Sequence, residues 1–405
     1  MKKIIAPLII AVLCCGMSIY AVAANGLKQI AVLGPSNAGP ADAFGYSVSI
    51  SGNVIAATGD KGVCVFLEPT GGWRNMKQTA TLTASDGTLL QYVSINGNTV
   101  VATGYNSAAY VFVKPPSGWT NMTQTAILTA SDNSLGFLAV SVSGNTIVAG
   151  LPSSTIGSNQ SQGAAYVFVE PAGGWSDMTQ TAKLTASDGA AGDALGYAVA
   201  ISGGTIVAGA PDATTNSGGN NYGQGAAYAF VQPEGGWMSA TETAKLTASD
   251  GTSVASLGYS VAIEGNTIVA GAPSQYDPDG SAGGATYIFA KPAGGWTTAT
   301  ETAQLNPSNG VLDGTMGFSV SISGNLVVAG SPGVLSITNR QLAYEFLEPS
   351  GGWHSMTQTT AEGPNKAPAY AEFGHSVSNN GSTVVVAAPG TVYTNSEGLV
   401  YVFGP

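Results

Sequence analysis

One pattern recurs seven times along this chain and leaves few folds open to it. Leu195 to Asp250 reads LGYAVAISGGTIVAGAP, then GAAYAFV, GGW and TAKLTASD, and Leu257 to Asn309 repeats the series with small changes. Matching units begin near Phe44, Leu89, Leu135, Met316 and Phe373. Measured at the SGN-like turn, successive units are about 45 to about 62 residues apart, the length of a four-stranded propeller blade.

Each unit divides into four strand signals. The first alternates apolar and polar residues, as in Ser47-Val48-Ser49-Ile50. A tight SGN or GGT turn follows, where glycine supplies the positive φ of a hairpin. The second strand, TIVAGAP-like, is an unbroken apolar run, which predicts burial on both faces. The third is AAYVFV-like and stops before Pro69, Pro115, Pro171, Pro233, Pro292 or Pro349, because proline cannot continue a ladder. The fourth, TAKLTASD-like, is more polar and predicts an outer strand.

Six units carry all four strands. The seventh, from Phe373, stops after its third strand, LVYVF. The missing strand is found near the other end: IAVLGPSN, Ile30 to Asn37, matches TAQLNPSN, Thr302 to Asn309. The reading is therefore an all-β, seven-bladed propeller closed by its N-terminal strand. Closure removes the free sheet edge of an open array. A blade alone cannot bury both of its apolar faces, so stacking favours one domain.

The FG-x-S-V opening (Phe44-Gly45, Phe373-Gly374, with LGY and MGF variants) followed by GAP (Gly209-Ala210-Pro211, Gly271-Ala272-Pro273) resembles the FG-GAP repeat of integrin α-subunit propellers and of many bacterial secreted proteins. The AAYVF and GGW additions resemble the bacterial proteins more closely. The resemblance implies a propeller. The closed scaffold, the export signal, the lopsided loops and the missing catalytic clusters set out below lead to the expectation of an exported non-catalytic binding or adhesion module whose loop face contacts a protein or glycan. Integrin-type repeats often carry a DxDxDG-like calcium loop between the first two strands. Here that connection is only SGN, ING, SGG, EGN or NNGS. Calcium takes six to eight oxygen ligands, so that site is not carried over.

The first residues form a separate object. Lys2-Lys3, the apolar run Ile4 to Leu13 and the small-residue site Ala21-Val22-Ala23 make a secretory signal pattern too short to span a membrane. Residues 1–23 are thus expected to be removed, and 24–405 to form the propeller. Its blades are expected near 44–86, 89–132, 135–188, 195–250, 257–309, 316–365, and 373–405 plus 27–37. An exported, secreted, periplasmic or cell-surface protein is expected. Cys14 and Cys15 would leave with the signal, so Cys64 would be the remaining cysteine, an inert buried thiol in the tyrosine position of other units.

Charge narrows the partners. The chain has 12 Lys plus Arg against 23 Asp plus Glu, a formal net charge of −11. Without clustered cations to neutralise phosphates, nucleic acid is set aside. No membrane span is expected in the mature chain, and a monomer is expected. Catalytic signatures are missing: two His, no HExxH, no P-loop and no nucleophile elbow. The expectation is not an enzyme, with no cofactor. A secreted hydrolase or lyase is the weakest reading.

Function is expected on loops. Those from second to third strand are long in units 3 to 5: Ser153 to Gln162, Asp212 to Gln224, Ser274 to Gly283. Asp212, Asn220, Tyr222 and Tyr276 are weak ligand-binding candidates, and Asp277 and Asp279 weak metal candidates. Six tryptophans (Trp73, Trp119, Trp175, Trp237, Trp296, Trp353) hold one position per unit. They fit structural rivets better than a multivalent lectin's sugar platforms. The repeated TASD aspartates are expected to bond locally in turns.

Overall fold

The computed structural model describes residues 27–36, 42–104, 108–132, 136–214, 223–252, 254–275, 283–308, 315–333, 341–363, 371–390 and 397–405. The expected signal segment and the candidates Asn220, Tyr222, Tyr276, Asp277 and Asp279 lie outside the described residues. All regular structure among the described residues is β-strand, in seven sheets.

The seven sheets are the seven blades of the propeller. Blade 4 is representative: Val199–Ser202, Thr205–Ala210, Ala226–Val231 and Ala244–Thr247 pair antiparallel in that order. The second strand is buried at every position, and the first alternates buried and half-buried residues. The apolar run and the alternating run read in the sequence thus mark sandwiched and axis-facing strands. Blade 7 joins Ser376–Asn379, Val384–Ala388 and Leu399–Gly404 to the N-terminal strand Lys28–Leu33. Leu33 pairs with Val400 and Ala31 with Val402, so the ring closes as expected.

The FG and GAP signatures meet between blades. A Cβ on Gly209 would overlap the backbone carbonyl of Gly258, one blade on, and one on Gly271 would overlap that of Gly317. The glycine of GAP and the glycine of FG are therefore one contact, which recurs at four of the seams, as Gly150–Gly196, Gly209–Gly258, Gly271–Gly317 and Gly330–Gly374. Serine hydroxyls reinforce it: Ser260 donates to the Gly317 carbonyl at 2.7 Å and Ser319 to that of Gly374 at 2.8 Å.

Each tryptophan belongs to a latch that reaches back to the preceding blade. Met178–Thr179, just after Trp175, pairs parallel with the outer strand Ala126–Thr129 of blade 2. Nearby, Asp177 Oδ1 accepts from Ile127 N at 2.8 Å, and Gln180 Oε1 from Ser131 N at 2.8 Å. The same pair of clamps recurs in Asn121 with Gln124 and in Thr298 with Glu301. All six indoles are 5–9% exposed and sit in the seams between blades. They are rivets, and their buried rings offer no platform for a sugar.

One reading needs correction. The TASD aspartates do more than close local turns: Tyr110 donates to Asp86 at 2.6 Å, Tyr166 to Asp132 at 2.8 Å and Tyr287 to Asp250 at 2.8 Å. Each joins one blade's outer end to the next blade's third strand. Burying the tyrosine ring in the seam obliges its hydroxyl to find an acceptor, and the aspartate is the one in reach. Cys64 is buried, and burial, then the nearby Asp42 charge, pushes its thiol up to about 12.

Candidate binding face at the propeller mouth

The antiparallel order of strands puts the second-to-third loops and the entries to the first strands on one face. Isolated bridges between Gly163 and Leu195, Gly225 and Leu257, and Gly284 and Met316 tie each long loop to the entry of the next blade. The described ends of the long loops of blades 3 to 5 therefore lie on that one face.

At its centre the entry motif places an aromatic collar. The residue after the FG-type glycine points to the axis: Tyr46, Tyr197, Tyr259, Phe318 and His375, joined by Tyr92 of blade 2. Ring centroids lie 4.9 Å apart for Tyr197 and Tyr259, 5.1 Å for Tyr259 and Phe318, 5.1 Å for Phe318 and His375, and 4.6 Å for His375 and Tyr46. Tyr46 and Tyr92 follow at 5.6 Å in an edge-on contact. Spacings of this kind suit tilted and edge-to-face aromatic pairs. The collar surrounds a cavity of about 220 Å³.

Blade 3 breaks the ring. Its first strand carries one residue more after the glycine, and Phe137 turns into the seam, 2% exposed, against Tyr166 and Phe168. Leu138 takes the axial place. Backbone strain recurs beside the collar: Ala43, Ala194, Ser256 and Glu372, each just before its FG-type pair, have φ of +36°, +61°, +61° and +57°. Left-handed backbone at non-glycine residues costs about 1 kcal/mol each or more and persists where surrounding contacts fix it.

The collar carries no formal charge at neutral pH. His375 Nδ1 lies 3.1 Å from the Tyr46 carbonyl, an acceptor only, so Nδ1 holds the proton and donates it. Burial pushes the imidazole down to about 4, against the smaller upward pull of that hydrogen bond. Burial also raises the Tyr197 phenol, offset by its hydrogen bond with Tyr259, and nearby Tyr46 and Asp212 charges raise it further. Asp212, the one described candidate, is exposed just after the second strand of blade 4 and does not line the cavity. None of the collar rings is among the candidates singled out from the sequence. The collar's signal was the recurrence of an exposed-side aromatic at one position in most units.

His375 gives a test of this environment. Its folded value lies below the ordinary 6.5, so the fold favours the neutral ring. That stability is fully present above about pH 6.5 and is lost as pH falls from there toward 4. His375→Phe is expected to remove about 1–2 kcal/mol of the loss in stability between pH 7 and pH 4.5. Urea titrations at the two pH values check this; an unchanged difference would refute a buried neutral imidazole.

Among the described residues, no group of three or more His, Cys, Asp or Glu is placed to share a metal ion. No helix among them is long and apolar enough to cross a membrane.

Comparison with known proteins agrees with the geometry. A family model described as the FG-GAP repeat matches residues 178–230 and 240–289. No curated protein matches the sequence. Among solved structures, a chain in the crystal structure of a mitotic checkpoint complex is similar, with 10% identity over 99% of both chains and a TM-score of 0.58. The computationally designed Ika8 protein is similar over 94% of this chain and 100% of its own, with 13% identity and a TM-score of 0.48. At such identities the first likeness bears on the propeller fold alone.

Proposed function

We propose, from the premise that this chain is an FG-GAP repeat β-propeller protein, that it is an exported, non-catalytic binding or adhesion module that grips a protein or glycan at the mouth of the ring. The observation that carries this reading is the aromatic collar set in the same face as the long polar loops of blades 3 to 5. Aromatic side chains bury large area with few rotatable bonds, which suits them to central contacts. The polar composition of the loops whose described ends share this face suits them to fix a partner's orientation. Export rests on the Lys2-Lys3, Ile4 to Leu13 and Ala21-Val22-Ala23 pattern. The non-catalytic part rests on the sequence's lack of a nucleophile, acid–base pair or metal motif. A monomer fits a ring that closes on its own N-terminal strand.

The lectin alternative survives only in a narrower form. The buried indoles do not serve it, so a sugar would have to enter the single collar or meet the loops. Stoichiometry then separates the readings: one site per chain supports the collar, and several equivalent sites overturn it.

The experiment is a binding screen of the exported protein on a printed glycan array and a panel of immobilised surface proteins. Tyr259→Ala with Phe318→Ala is expected to weaken the best binder about thirtyfold, the effect of losing a central aromatic anchor of about 2 kcal/mol. The melting temperature reports whether the fold is kept. Full binding by a folded double variant would sink the proposal.

A further inference from the structure

One seam breaks an apolar rule that the other six keep. On the face of each blade that meets the next, the third and fourth strands bring three positions together. In blade 1 these are Val65, Ala80 and Leu82, in one cluster with Trp119 of blade 2. In blade 4 they are Ala229, Ala244 and Leu246, with Trp296 of blade 5. Blades 2, 3, 5 and 7 also place Val or Ile first, Ala second and Leu third. In blade 6 the same positions are Glu345, Thr360 and Glu362. The described cluster of the seam between blades 6 and 7 holds no tryptophan.

Register puts the two glutamates together. Glu345 stands opposite Thr360 and Ala343 opposite Glu362. Glu345 and Glu362 are therefore diagonal neighbours on one face of the sheet, a relation that spans about 7–8 Å. Glu345 is 5% exposed. Its Oε2 accepts from Thr360 Oγ1 at 2.7 Å, and its Oε1 has no hydrogen-bond partner. Glu362 is half-buried.

Among the described residues, nothing that faces the pair balances its charge. Leu326–Ser331 of blade 6, and Ser376–Asn379 and Val384–Ala388 of blade 7, hold no titratable side chain. Leu399–Gly404 presents Tyr401, whose phenol burial raises further. Lys28 on the N-terminal strand is exposed. Glu372, at the entry to blade 7, is another carboxyl raised by burial. His375 lines the axial cavity and, pushed down to about 4, stays neutral above that pH. The ion pairs Lys183–Asp132 and Lys245–Asp188 belong to other blades. Burial raises Glu345, against its Thr360 hydrogen bond. Burial, then the Glu345 charge, pushes Glu362 up to about 7. Two neighbouring carboxylates in an apolar seam are costly to ionise together, and a proton on one of them removes the repulsion.

We propose that the seam between blades 6 and 7 is a proton-operated joint in the ring, closed while Glu345 and Glu362 keep at least one proton between them and loosened when both ionise. The joint reaches the collar. Phe318 heads blade 6 and His375 heads blade 7, with ring centroids 5.1 Å apart. Parting the seam therefore separates two neighbouring rings of the mouth. This inference goes beyond the binding reading and does not depend on it, because it concerns the ring's own closure.

The direction follows from the carboxyls. A group raised above its unfolded value, here 4.5, adds stability that is fully present below that value and is lost as pH rises through about 7. Hydrogen–deuterium exchange on the full chain, corrected for the intrinsic pH dependence of exchange, reads this locally. Protection of Leu342–Leu347 and Leu399–Gly404 is expected to fall about tenfold between pH 5 and pH 8. Water screens the half-buried Glu362 and keeps the fall below the full shift. Protection of Ala226–Val231, in the seam of Ala229, Ala244 and Leu246, is expected to stay level. Glu345→Val with Thr360→Ala and Glu362→Leu restores the trio of the other blades. It is expected to abolish the pH dependence and raise protection at pH 8. Glu362→Gln, which keeps the shape and removes the charge, gives the same comparison if the triple variant does not fold. Level protection in the unsubstituted protein overturns the joint. So does an equal fall in Ala226–Val231, or a fall that survives the substitutions and so belongs to Glu372 or another group.

Discussion

Removing Leu27 to Asn37 is expected to abolish cooperative unfolding of the propeller. The N-terminal strand pairs with Leu399–Gly404 along its length and buries Leu27, Ala31 and Leu33. Burying each leucine contributes about 2 kcal/mol. The strand is also the site on which blade 1 latches: Leu33 bridges Met76, Asn75 Oδ1 accepts from Val32 N at 2.8 Å, and Gln78 Oε1 accepts from Ser36 N at 2.8 Å. Each such hydrogen bond adds about 1 kcal/mol. The total loss, of about 5 kcal/mol or more, is comparable with the whole stability of an ordinary domain. Deletion further bares the edge of Leu399–Gly404 beside blade 1, which invites association with other chains. Differential scanning calorimetry and light scattering should show a lost or broadened transition and larger species. A synthetic peptide of residues 27–37 added in trans should restore the transition in part. A truncated protein with the melting temperature of the full chain would refute closure by this strand.

Gly209→Ala is expected to cost about 3–5 kcal/mol, from the Cβ alone. The new methyl meets the carbonyl oxygen, carbonyl carbon and Cα of Gly258. All three are backbone atoms, so no side chain can swing away. Gly209 N also donates to the Ala198 carbonyl at 2.9 Å, and Gly258 N to that of Gly271 at 3.0 Å. Both backbones are therefore held, and relief requires blades 4 and 5 to part. Gly173→Ala is the control: it lies after a third strand with nothing within 4 Å of an added Cβ. Its effect is expected within about 0.5 kcal/mol. Urea denaturation of the two variants gives the comparison, and equal midpoints would show that the glycine contact does not limit blade spacing.

These two experiments concern features that were legible in the linear chain to different depths. The closing strand could be found because Ile30 to Asn37 repeats a pattern that blade 7 lacks. The Gly209–Gly258 contact could not, because the two residues lie in separate units and each reads as an ordinary turn or strand glycine. The same holds for Tyr110 and Asp86. Their hydrogen bond joins neighbouring blades, so a local reading places the aspartate in a turn and misses its partner in the next unit. Long polar loops are visible as insertions, yet of the residues singled out there only Asp212 lies among the described residues, and it does not line the collar cavity. His375 and its aromatic neighbours were visible as a recurring position, but recurrence does not say which way a ring points.

The repeat by itself determined the blade count, the four strands of each blade, the sandwiched second strand and the circular closure. It did so because alternation, unbroken apolar runs and proline stops are local consequences of which face each residue must bury. The tertiary structure alone decided where successive units touch. It set the glycine pairs across the seams, the latches that clamp each blade to the one before, and the aromatic collar around the axis. It also buried Glu345 near the half-buried Glu362, whose carboxyl is pushed up to about 7 by its own burial and by the Glu345 charge. The physical reason is that these features depend on the distance and angle between blades, and that geometry is fixed only when all seven pack into a closed ring.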